Sequence, residues 1–108
     1  MDAKVKGIDK EKSKENYNTT SSRLFVELQA APEPEWASAF NAGWSKTELR
    51  QIAQEAQVTG SAIMVTYLKG KGVPEIYSAV EKAVEEINKA QDSFYAQIDS
   101  INASAAGV

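Results

Sequence analysis

The strongest constraint lies in the last third of the chain. Ile76, Val80, Ala83, Ile87, Ala90, Phe94, Ile98 and Ile101 recur at steps of four, three, four, three, four, four and three. Apolar residues at this spacing share one side of an α-helix. The series is close to a heptad seam, with one irregular step after Phe94. Pro74 suits the first turn of such a helix. The opposite side carries Glu81, Lys82, Glu85, Glu86 and Lys89, with Glu85 and Lys89 in the favourable i,i+4 order.

Length makes this helix informative. Residues 74–101 would extend about 42 Å, whereas a compact domain of roughly 85 residues is about 30 Å across. The last turns, with Tyr95, Ile98 and Ile101, are therefore expected to overhang the body as a candidate interaction surface. The competing outcome is a helix that bends or frays after Phe94.

Upstream, residues 23–29 alternate Leu24, Val26 and Leu28 with Phe25, Glu27 and Gln29, the period of a half-buried strand. Pro34 opens a helix on which Trp36, Phe40 and Trp44 fall at steps of four. Such a stripe serves as a recognition platform less often than as core, so it is assigned to packing against the first strand. Residues 45–60 admit two readings. Capping-box spacing at Ser45 to Glu48 favours a short helix to about residue 53. The turn Thr59-Gly60-Ser61 favours a hairpin joining a short strand near residues 56–58 to the strand of residues 62–68.

The expected fold is therefore α+β in two layers, with a small antiparallel sheet of about three strands. Its helices cover one face, in the order β-α-(α)-β-β-α, ending in the long helix. Residues 1–22 mix five lysines with four acids and few apolar residues, and are expected to be a disordered tail. Residues 23–108 are expected to form the single domain. In a three-stranded sheet of this kind Phe25, Met64 and Leu68 would face away from the helices, making a second candidate interaction surface.

Composition narrows the chemistry. The 108 residues include no histidine and no cysteine. The usual ligands of zinc, haem and iron–sulfur sites are thus missing, as are the Ser-His-Asp and Cys-His nucleophile systems. No enzyme activity, metal or cofactor is expected. Lys69-Gly70-Lys71-Gly72 precedes a helix, which suggests an anion contact at Lys69 and Lys71. The phosphate-loop pattern is not met, and a plain connection is preferred. Beyond Arg23 there are six cations against eleven acids, a balance that repels nucleic acid unless the cations cluster. The acids of the last helix show no calcium-loop spacing and read as a solvated face.

No apolar run reaches the length of a membrane span, and no secretory signal is visible, so a cytoplasmic protein with no membrane partner is expected. The preferred function is a non-catalytic interaction or regulatory module, acting on itself as a homodimer or on an unidentified protein. The alternative is weak binding of nucleic acid or a phosphate ligand through Lys69, Lys71 and the N-terminal lysines.

Overall fold

The computed structural model describes residues 3–17, 21–68 and 72–106. The elements are strand β1 (Val5–Ile8), helix α1 (Lys10–Glu15), strand β2 (Ser21–Leu28), helix α2 (Pro34–Gly43), two short 3-10 turns (Trp44–Lys46 and Glu48–Gln51), strands β3 (Glu55–Thr59) and β4 (Ala62–Leu68), and helix α3 (Val73–Ala106). The fold is α+β, as the sequence predicts. The four strands form one antiparallel sheet in the order β1-β2-β4-β3, so the expected count of three is corrected to four.

The additional strand comes from the segment expected to be a tail. Its order has a non-local cause. Val5, Gly7 and Ile8 pair with Leu28, Glu27 and Val26, while Ala3, Val5 and Ile8 pack against the core. Where β1 ends, α1 takes over the same edge of β2. The Phe25 amide donates to Ser13 Oγ at 3.0 Å, and the Arg23 amide donates to the Asn16 carbonyl at 3.3 Å. The backbone groups of β2 are thereby satisfied along an edge that a four-residue strand alone would leave open.

The core lies between the sheet and helices α2 and α3. Leu24, Val26, Leu28, Ile63, Val65 and Tyr67 project from the sheet onto Trp36 and Phe40 of α2 and onto Ile76, Val80, Ala83, Val84 and Ile87 of α3. Trp36 and Phe40 stack at 5.5 Å between ring centroids, so the aromatic stripe is core, and Trp44 packs half-buried against it. The expected short helix at residues 46–53 is reduced to the two 3-10 turns. Thr47 caps the second by accepting from the Leu49 amide. The Gln54 amide then bonds to the Thr66 carbonyl, which draws the chain into β3. The β3–β4 connection is a two-residue turn, Gly60-Ser61, in which Gly60 takes φ +59°. Positive φ is costly for a residue with a Cβ, so glycine suits this position.

Asn88 of α3 ties three segments together. Its Oδ1 accepts from Trp36 Nε1 at 2.7 Å and from the Ala3 amide at 3.1 Å, and its Nδ2 donates to the Ala3 carbonyl at 2.8 Å. Asn41 plays a smaller part of the same kind: its Oδ1 accepts from the Val58 amide and joins α2 to the edge strand β3.

Candidate functional site

Helix α3 has 34 residues, about 51 Å at 1.5 Å per residue, and runs unbroken past the body it covers. The Cα radius of gyration is 16.0 Å and the longest extent 63 Å. A compact chain of this length would have a radius of about 13 Å. The excess reflects the projecting end of α3, which continues as helix through Phe94 to Ala106.

The structure also shows a better count of the seam. Read through Val84 and Gln91 in place of Ala83 and Ala90, the positions Val80, Val84, Ile87, Gln91, Phe94, Ile98, Ile101 and Ala105 follow steps of four and three without interruption. The first half of this seam is consumed by the fold, since Val80, Val84 and Ile87 are buried. The second half is bare. Phe94 is 59% exposed, Tyr95 41%, Ile98 40% and Ile101 69%. The heptad pattern is therefore one surface with two fates: its N-terminal half meets the sheet and α2, and its C-terminal half stays exposed among the described residues.

A groove of about 730 Å³ lies where the two halves join. Ser38, Ala39 and Gly43 of α2 form one wall, and Ile87, Phe94 and Tyr95 of α3 form the other. The helices approach closely at the Gly43 end, where a Cβ on Gly43 would stand 3.0 Å from Ile87 Cδ1. Beside this approach the small residues of α2 leave an apolar groove, and its Phe94 and Tyr95 wall continues into the exposed seam. Tyr95, Ile98 and Ile101 are thus brought together with Phe94 and this groove, neither of which the sequence singles out as part of a site. Ala39 and Gly43 carry no signal of their own before the position of α2 is known.

The other expected surface is much smaller. Phe25 and Met64 are cross-strand partners on the face away from α2 and α3. Met64 is only 9% exposed, flanked by Phe25 and Gln57 on the neighbouring strands. Phe25 is half-buried, with Lys12 Nζ 5.8 Å from its ring centre. Around this pair the same face carries Arg23, Glu27, Glu55, Gln57 and Thr66. Of the three residues expected on this face, Phe25 and Met64 thus form a half-buried and a buried partner in a polar surround. The Leu68 side chain, Lys69 and Lys71 lie outside the described residues.

Among the described residues no cluster of three acidic side chains is placed to hold a metal ion, and no helix is long and apolar enough to cross a membrane. A second, polar hollow is lined by Glu48, Gln51, Ser78 and Lys82, in which Lys82 Nζ lies 3.5 Å from a Glu48 carboxylate oxygen. Both side chains are largely exposed, and such surface pairs contribute little. No family model, no curated protein and no solved structure matches the chain.

Proposed function

We propose that this chain is a non-catalytic interaction module that self-associates, and that its working surface is the projecting end of α3. The observation that carries this reading is the continuity of the seam. A heptad surface that is buried as far as Ile87 continues through Phe94, Ile98 and Ile101 with those side chains in solvent. Exposed apolar residues scattered singly call for no explanation, whereas a contiguous row aligned for helix pairing does. The lack of histidine and cysteine supports the non-catalytic part of the reading.

The test compares the two candidate surfaces by solution mass. The double variant Ile98→Asp/Ile101→Asp places charge on the seam and leaves the body untouched, and it is expected to run as the 11.7 kDa monomer. Phe25→Asp, on the covered pair of the sheet, is expected to retain the mass of the natural chain. The reverse order, with association lost in Phe25→Asp and kept in the double variant, would move the working surface to the sheet.

A further inference from the structure

We infer that the seam is covered by the same seam of a second copy running antiparallel, the end of each α3 filling the groove between α2 and α3 of the other. This rests on the self-association reading and adds the partner, the direction and the register.

The register follows from the heptad. Setting Phe94 opposite Ile98 of an antiparallel copy puts Gln91 opposite Ile101, so the exposed seam positions meet one another, and it brings Ala105 over the groove at Ile87, which is buried within its own chain. The copies then overlap along residues 87–105. Their bodies lie at opposite ends of the helix pair and do not collide.

Charge is compatible with two identical surfaces meeting. The positions bordering the seam are Asn88, Tyr95 and Asn102 on one side and Ala90, Gln97 and Ser104 on the other. None is charged, so the pairing brings no like charges together at the positions that decide partner choice in coiled coils. Lysine and arginine are absent from residues 90–108, so the same surface lacks the basic border that would favour an anionic membrane.

The groove matches this arrangement. Ile87 and Phe94, which the incoming end would meet, already form one wall, and Ser38 and Ala39 opposite are small enough to let a helix seat on the groove at ordinary packing distance. Phe94, Tyr95, Ile98 and Ile101 together present on the order of 400 Å² to solvent. That is about half of the roughly 800 Å² each partner contributes to a standard interface. The walls of the groove supply a further share.

Because the chain has no cysteine, single substitutions read the direction directly. In the antiparallel pair Gln97 lies across the two-fold axis from its own copy and the two Ile101 residues stand about 15 Å apart along the helix, whereas in a parallel pair Ile101 faces Ile101. With a short bifunctional thiol reagent, Gln97→Cys is expected to cross-link at least about tenfold faster than Ile101→Cys or Ser104→Cys. Ser38→Arg, an exposed position on the groove wall, is expected to weaken association by about tenfold or more while the circular dichroism is unchanged. Faster cross-linking of Ile101→Cys would overturn the antiparallel arrangement yet leave self-association standing. An unaltered association constant in Ser38→Arg would overturn the role of the groove. A monomer at every concentration, with no cross-linking in any variant, would overturn both this inference and the reading beneath it.

Discussion

Replacing Asn88 with alanine removes hydrogen bonds to three groups on two separate segments, and the structure sets the size of the effect. The Trp36 side chain is 1% exposed, and its indole N–H bonds to Asn88 Oδ1 at 2.7 Å. Without that acceptor the N–H is stranded among apolar neighbours, at a cost of about 1–3 kcal/mol. The amide and carbonyl of Ala3 also lose their partners. They are only part-buried, so water can replace some of the loss, and each contributes about 0.5 kcal/mol. The expected total is about 2–4 kcal/mol, measured by urea denaturation followed by circular dichroism. A stability of this order matters when whole domains are held by about 5–15 kcal/mol. In a Trp36→Phe background the indole N–H is already gone, and Asn88→Ala should cost about 1–2 kcal/mol less than it does alone. A loss under about 0.5 kcal/mol in the single variant, or strict additivity in the pair, would refute the clamp.

Two further substitutions test the division between core and projecting surface. Phe40 is fully buried, so Phe40→Ala should cost about 3–5 kcal/mol. Phe94→Ala should leave monomer stability within about 0.5 kcal/mol, because Phe94 is 59% exposed; both are read from denaturation midpoints at a concentration low enough to keep the chain monomeric. At the β3–β4 turn, Gly60→Ala forces a side chain onto φ +59°. It should lower stability by about 1–2 kcal/mol by the same assay, and an unchanged midpoint would contradict the strain.

Which parts of the fold can be read from the sequence depends on whether the ordering is local. Strands β2 and β4 and helices α2 and α3 each carry enough periodic apolar residues to declare themselves, and Pro34 and Pro74 fall in the first turns of their helices. Strand β1 has four residues, of which only Val5 and Ile8 are large and apolar. Its order comes from pairing with β2 and from the Asn88 clamp, 85 residues away from Ala3. No window of neighbouring residues contains that information. The same cause limits the sheet surface. Met64 alternates correctly with Ile63 and Val65, but its cover comes from Phe25, Gln57 and the neighbourhood of α1 on other parts of the chain. At residues 46–53 capping-box spacing is present, yet Thr47 rather than Ser45 becomes the cap, because the chain must enter β3 by Glu55. The seam is legible in the sequence as far as Ile101, and α3 continues beyond it to Ala106. Its regularity through Val84 and Gln91 emerged only once the buried face of α3 was known.

If the exposed half of the α3 seam holds two copies together, the mass of the natural chain must rise with concentration. An interface built on four partly exposed side chains and a groove wall is small, which corresponds to a dissociation constant of about 1–100 µM. Sedimentation equilibrium from about 1 µM to 1 mM should therefore carry the mass from one chain toward two, with Ile98→Asp/Ile101→Asp remaining at one throughout. A natural chain that stays monomeric across that whole range would contradict the account.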